Sequence, residues 1–412
     1  MSGPDTRRAV VTGVGVVAPQ GIGAEGYWKA VADGRAFLGP ITREGCAHLP
    51  LKVAGEVQGF DPAALIETTY LVQTDRFTHH AMAAAQLALD DARLAPADVA
   101  SPYAVGVVTA AGSGGGEFGQ RELQKLWGDG PKHVGPYQSI AWFYAASTGQ
   151  TSIRGGFKGP CGVVCADEPG GLDALAHAAR AIGRGTDAVV VGATEAPLAP
   201  YSMVCQLGYP ELSTSDDPER AYRPFTSGAC GFVPGEGGAM FVLEDERAAR
   251  ERGAQARATV AGHAATFTGA SRWAESREGL ARAITGALEQ AGCRPEDVDV
   301  VFADALGVPE ADAAEVLALA DALGPHARGV PVTAPKTGGG RAHCAAAVLD
   351  VATVVLAMEN GLIPPTPNVF DPCHELDLVT GRARTADVRT ALVVSRGLMG
   401  NNAALVLRKG AP

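Results

Sequence analysis

The chain has 412 residues, 46% of them hydrophobic and 19% charged, with a formal net charge of -11. That length suits either two units of roughly 150–200 residues or one large duplicated core, and the acidic balance argues against nucleic acid or an anionic membrane as a partner. No apolar run reaches the roughly 18 residues of a membrane span, and the eight scattered cysteines contain no CxxC pair, which predicts no metal site and the reduced thiols of a cytoplasmic protein.

Residues 8–18 read as a buried strand broken by Gly13 and Gly15; no third glycine opens a helix behind them, so a dinucleotide site is not expected. A short helix is predicted from Tyr27 to Asp33, a long alanine-rich one from Arg76 to Arg93 and a buried strand at 105–108. The glycine-rich stretch 110–119 lacks the GK[ST] sequel of a phosphate loop. Its residues Gly116 and Gly119, followed by Leu123, instead leave space along one helical face. Between Tyr137 and Gln150 the chain concentrates Trp142, Phe143 and Tyr144, which reads as core or as a subunit interface.

The most informative stretch is 163–175. An apolar run of strand type, Val163-Val164-Cys165, turns through Pro169-Gly170-Gly171 and continues with Leu172, Leu175, Ala176 and Ala179 on one helical face. Glu168 sits at the corner of this strand, turn and helix. Such corners suit a nucleophile, because the side chain is presented beside the free N–H groups of a helix start. A carboxylate is nevertheless a poor acceptor for a thioester's acyl group, since the mixed anhydride would hydrolyse.

Beyond it come a strand at 188–192 and a glycine-punctuated turn running into another strand across 228–244. A polar shift over 245–257 places the boundary between two halves near 250, giving units 1–250 and 251–412. The second half repeats the rhythm of the first: strand 258–262, helix 279–291, strand 298–302, helix 311–323, strand 330–333, helix 345–358, and closing strands at 391–394 and 403–407. The predicted fold class is α/β, a duplicated αβαβα layered architecture.

Arg8 to Ala18, Gly170-Gly171-Leu172-Asp173-Ala174, Pro224-Phe225 with Gly231 to Gly237, Pro335-Lys336-Thr337 and Gly400-Asn401-Asn402-Ala403 together resemble the β-ketoacyl synthase family of the thiolase-like fold. Its enzymes use a cysteine at the strand–helix corner and two histidines. The resemblance places these at Glu168, Asp304 and Arg341, so all three catalytic groups are absent. Asp304, when ionised, would repel an enolate, and Arg341 alone does not replace two neutral donors. Cys165 is expected to point away from the corner, and His343 is read as a packed or solvated histidine in preference to a general base.

With these losses, the segments Ala141 to Tyr144, Val301 to Asp304 and Val330 to Thr337 resemble one subfamily, the chain length factors or ketosynthase beta subunits of bacterial type II polyketide synthases. The resemblance implies a non-catalytic subunit without a cofactor. It would pair with a ketosynthase alpha subunit through Trp142, Phe143, Tyr144 and an edge strand at 162–166, and serve an acyl carrier protein that brings malonyl units or holds the growing chain. It also implies gating positions at Gly116, Gly119 and Leu123; two lack side chains, which predicts a long product. Glu168 departs from the glutamine usual there. The proposed reason is an ionic cluster of Glu168, Asp304 and Arg341, with Lys336 and Asp350 close by, that fills and locks the former site. The competing readings are a malonyl-carrier decarboxylase or acyl-processing enzyme that uses Arg341 and Glu168, and a homodimeric acyl-binding protein.

Overall fold

Valine-rich runs too short for helices form the strands, and alanine-rich runs cover them. In the computed structural model, which describes residues 7–96, 99, 101–270 and 272–410, the strands are β1 (Ala9–Ala18), β2 (Val105–Ala110), β3 (Cys161–Val164), β4 (Ala188–Glu195), β5 (Gly237–Asp245), β6 (Ala258–Phe267), β7 (Val300–Phe302), β8 (Pro331–Thr333), β9 (Asp377–Leu378), β10 (Thr390–Arg396) and β11 (Asn401–Lys409). They hydrogen-bond in the order β9-β8-β7-β10-β11-β6-β1-β5-β4-β2-β3. Reading outward from the central β1–β6 pair, each half runs first strand, last strand, next-to-last, second, third, and the C-terminal half adds β9 beyond β8. The pairings are antiparallel, antiparallel, parallel and parallel on both sides. This repeated order is the duplication that the sequence rhythm implies.

The helices that matter are α1 (Arg76–Asp91), α2 (Gly116–Gly128), α3 (Gln138–Ala141), α4 (Ala146–Gly155), α5 (Gly170–Gly183), α6 (Pro200–Gln206), α7 (Arg277–Ala291), α8 (Pro309–Leu323) and α9 (Cys344–Asn360). Three of the apolar cores among the described residues hold the layers together. The central core joins α5 and α9 to the inner faces of both halves, through Leu172, Leu175, Val348, Val351, Val189 and Val393. A second packs α7 and α8 on the outer face of the C-terminal strands, and a third packs α1 on the N-terminal ones. Every residue of α9 from Cys344 to Met358 is buried, which explains a helix apolar all round. Gly171 lets α5 and α9 touch, since a Cβ there would lie 2.4 Å from the Cys344 carbonyl oxygen.

Layering by this order puts the ends of β3, β7, β8 and β10 beside the starts of α5 and α9. Ligand sites in parallel α/β sheets form at such strand ends. No helix among the described residues is long and apolar enough to cross a membrane.

Candidate functional site

Glu168 follows β3 and precedes α5, as the strand–turn–helix pattern predicts. Its neighbour Asp167 takes a left-handed φ of 56° and accepts a hydrogen bond from the Leu398 backbone N–H, so the corner is tied to the loop after β10. Asp304 follows β7, and Arg341 lies between β8 and α9. The fold brings all three into one buried cluster. Arg341 donates to the Asp304 carboxylate at 2.7 Å, to the Asp304 carbonyl at 3.1 Å and to the Arg396 carbonyl at 2.9 Å. Its Nε lies 3.0 Å from Glu168 Oε2; the pair is an ion contact without hydrogen-bond alignment, both atoms lacking an aligned partner.

The cluster extends past the expected members. Arg396, at the end of β10, reaches Asp304 at 3.0 Å and Glu315 of α8 at 2.9 Å. Glu315 accepts the backbone N–H groups of Asp304 and Ala305. Lys336 pairs with Asp350. Arg396 is fully buried, and its position on a strand of otherwise apolar inward residues was the one signal in the sequence that could have found it. Burial opposes the ionised form of Asp304, yet the two guanidiniums outweigh it and hold the carboxyl at about 2. Burial likewise raises Asp350, and Lys336 only partly offsets this, leaving it at about 6. For Glu168, Arg341 and His343 overcome burial and keep the carboxyl below its usual range.

His343 is neither a core residue nor a solvated one. It caps α9 with a left-handed φ of 43°, and its Nδ1 lies 3.6 Å from Glu168 Oε1. Burial would depress the imidazole, but the facing Glu168 carboxylate, with Glu195 and Asp167 beyond it, raises it to about 9. Glu195, at the end of β4, is itself buried and accepts the backbone N–H of Gly112 at 2.5 Å and the N–H and hydroxyl of Ser113. Cys344, next in the chain, donates its S–H to the Asp167 carbonyl. Burial and the surrounding carboxylates push this thiol up, so it stays protonated and is a poor nucleophile. Cys165 is exposed, and burial and Glu195 raise its thiol too.

His343 also belongs to the wall of a cavity of about 650 Å³ that runs away from the cluster. Gly116, Gly119 and Leu123 of α2 line it, with Trp142 and Tyr144 from the α3–α4 connection and Tyr201 and Tyr209 opposite. Gly116 and Gly119 do not leave the empty volume that their missing side chains suggest. A Cβ on Gly116 would stand 2.2 Å from Ser202 Oγ, and one on Gly119 would stand 3.2 Å from the Trp142 ring. These glycines let α6 and the Trp142 segment close on α2, and the open space lies beside them. Trp142, Phe143 and Tyr144 are exposed by 51%, 50% and 38%, so the aromatic segment is a surface patch and not core. Edge strand β3 pairs with β2 on one side only.

Fold and corner together define a layered α/β scaffold of the condensing-enzyme type whose strand–helix corner carries a carboxylate facing a guanidinium. The chain matches the family model for the β-ketoacyl synthase N-terminal domain over residues 6–249 and that for the C-terminal domain over residues 257–370. It therefore belongs to the β-ketoacyl synthase family. It is 81% identical to a Streptomyces halstedii protein described as a polyketide beta-ketoacyl synthase 2, over 100% of this chain and 99% of that one. It is 51% identical to the tetracenomycin polyketide synthase ketoacyl synthase beta subunit of Streptomyces glaucescens, over 97% and 98%. Among solved structures, the ishigamide ketosynthase/chain length factor superposes with a TM-score of 0.90 at 28% identity, covering 98% of this chain and 99% of that one.

Proposed function

We propose that this chain is a chain length factor, the ketosynthase beta subunit of a type II minimal polyketide synthase, which shapes the tunnel for a chain that its ketosynthase partner builds on an acyl carrier protein. The observation that carries this reading is the contrast within one site. Where a condensing enzyme needs a thiolate and two neutral donors, Glu168, Asp304 and Arg341 are paired with each other and buried, while an amphipathic cavity stands open beside them. The exposed aromatics at 142–144, contiguous with the cavity wall, fit a partner subunit that covers both. A relative described as a ketoacyl synthase beta subunit and a ketosynthase/chain length factor structure support the pairing. Eight free cysteines fit a cytoplasmic setting.

Decarboxylation by Arg341 and Glu168 is disfavoured, because the Arg341 side chain is 1% exposed and its donors already serve Asp304, the Arg396 carbonyl and Glu168. The gating role of Gly116, Gly119 and Leu123, and the long product inferred from it, rest on their place along the cavity. Co-expression with the cognate ketosynthase and carrier tests the reading. The complex is expected to yield a polyketide of one dominant length and the isolated chain none. A covalent acyl adduct on the isolated chain, or condensation without the partner, would overturn it.

A further inference from the structure

The cavity wall is neutral along α2 and the aromatic segment, but its inner end is not. His343 projects there from the N-cap position of a 17-residue helix. A helix start repels a cation, so a protonated imidazole at this point needs a local counter-charge. Glu168 supplies it at 3.6 Å, and Glu168 is held in turn by Arg341. This arrangement gives the corner acid a use that neither a thiol nor an amide would serve: it fixes and charges the ring beside it. Nδ1 faces Glu168, and no group among the described residues hydrogen-bonds Nε2, which leaves it as the ring's remaining donor. Gly112 lets the 112–113 backbone approach the base of the His343 side chain, since a Cβ on it would stand 3.5 Å from the His343 Cβ and 3.3 Å from Glu195.

We infer that His343 is a specificity-determining contact, an imidazolium whose Nε2–H binds a ketone or enol oxygen of the chain lying in the cavity, so that the site prefers a polycarbonyl chain to a saturated one. The inference rests on the reading of this cavity as a polyketide tunnel and adds what recognises the guest. Hydrogen bonds from a charged donor are about twice as strong as neutral ones and gain further in a water-poor setting. A neutral carbonyl is favoured over a free carboxylate, because Glu168, Glu195 and Asp167 already surround the ring and a further anion would meet all three. The raised imidazole keeps the donor charged at neutral pH.

The test uses the chain in complex with its ketosynthase and three pantetheine-linked probes: one with a carbonyl on every second carbon, a saturated chain of equal length, and malonyl-pantetheine. Calorimetry is expected to give a preference of about tenfold for the polycarbonyl probe, the size of one charge-assisted hydrogen bond. His343→Leu should abolish that preference without weakening the saturated probe, and His343→Gln, which keeps a neutral donor, should restore part of it. An unchanged preference in His343→Leu, or a loss confined to the malonyl probe, would overturn the inference. Should neither variant assemble, the wild-type complex labelled with ¹⁵N-histidine answers the question: the His343 Nε2 signal must move with the polycarbonyl probe and not with the saturated one. Product length is read in parallel from a cavity-filling variant at Leu123. If length responds there while probe preference ignores His343, the tunnel reading stands and this inference falls.

Discussion

Two neighbouring regions of this molecule treat polarity in opposite ways. The cluster around Asp304 is sealed, and its charges answer one another in a chain: Glu168 with Arg341, Arg341 with Asp304, Asp304 with Arg396, Arg396 with Glu315. The cavity beside α2 is open and mostly apolar, with tyrosine, glutamine and serine side chains interspersed. His343 borders both. A buried charge network tolerates no missing member, because the partner left behind is desolvated and unpaired; a cavity wall tolerates substitution and changes shape instead. The first region should answer mutation with lost stability, and the second with altered guest selection.

The largest effect is expected from Arg396→Met. It leaves Glu315 without its cation and Asp304 with Arg341 alone, and chemical denaturation of the purified complex should register a loss of about 3–5 kcal/mol. Lys336→Met is a sharper control. Asp350 already sits at about 6 and can take a proton when its lysine goes, whereas Asp304 at about 2 cannot do so cheaply. Lys336→Met should therefore cost clearly less, and equal losses would break the distinction.

Next in size is the partner surface. Trp142→Ala should weaken association with the ketosynthase by about 2 kcal/mol, the scale of an interface aromatic, measured by titration calorimetry, with the thermal stability of this chain nearly unchanged.

A smaller effect follows from His343. Its folded-state value of about 9 lies above the unfolded value of about 6.5, so its contribution to stability is complete below the unfolded value and is lost as pH rises through the folded one. Burial opposes the charged ring, and the facing carboxylates Glu168, Glu195 and Asp167 outweigh it. The denaturation midpoint of the complex should decline between pH 6.5 and 9, and Glu168→Gln should flatten that decline. The finest probe is product length. Gly116→Phe requires Ser202 to give way, so Gly116→Phe with Ser202→Ala, or Leu123→Trp alone, should shorten the polyketide, as read by mass spectrometry of the reconstituted system.

The alternating valine and alanine runs and the Pro169-Gly170-Gly171 turn were enough to read the duplicated α/β order and to put Glu168 at its corner, because strand and helix periodicity and turn chemistry are local properties. The family resemblance, laid on the sequence motif by motif, led to Asp304 and Arg341. Tertiary structure alone decided what those residues touch. Arg396 and Glu315 stand 92 and 11 residues from Asp304 in sequence, and only the pairing of β7 with β10 brings that guanidinium to the carboxylate. His343 looked like a stray polar residue until the start of α9 set it between an acid and a cavity. The glycines of α2 read as empty space in one dimension; in three, Ser202 and Trp142 fill it. Periodicity fixes which face a side chain occupies, while packing between distant segments determines what is waiting there.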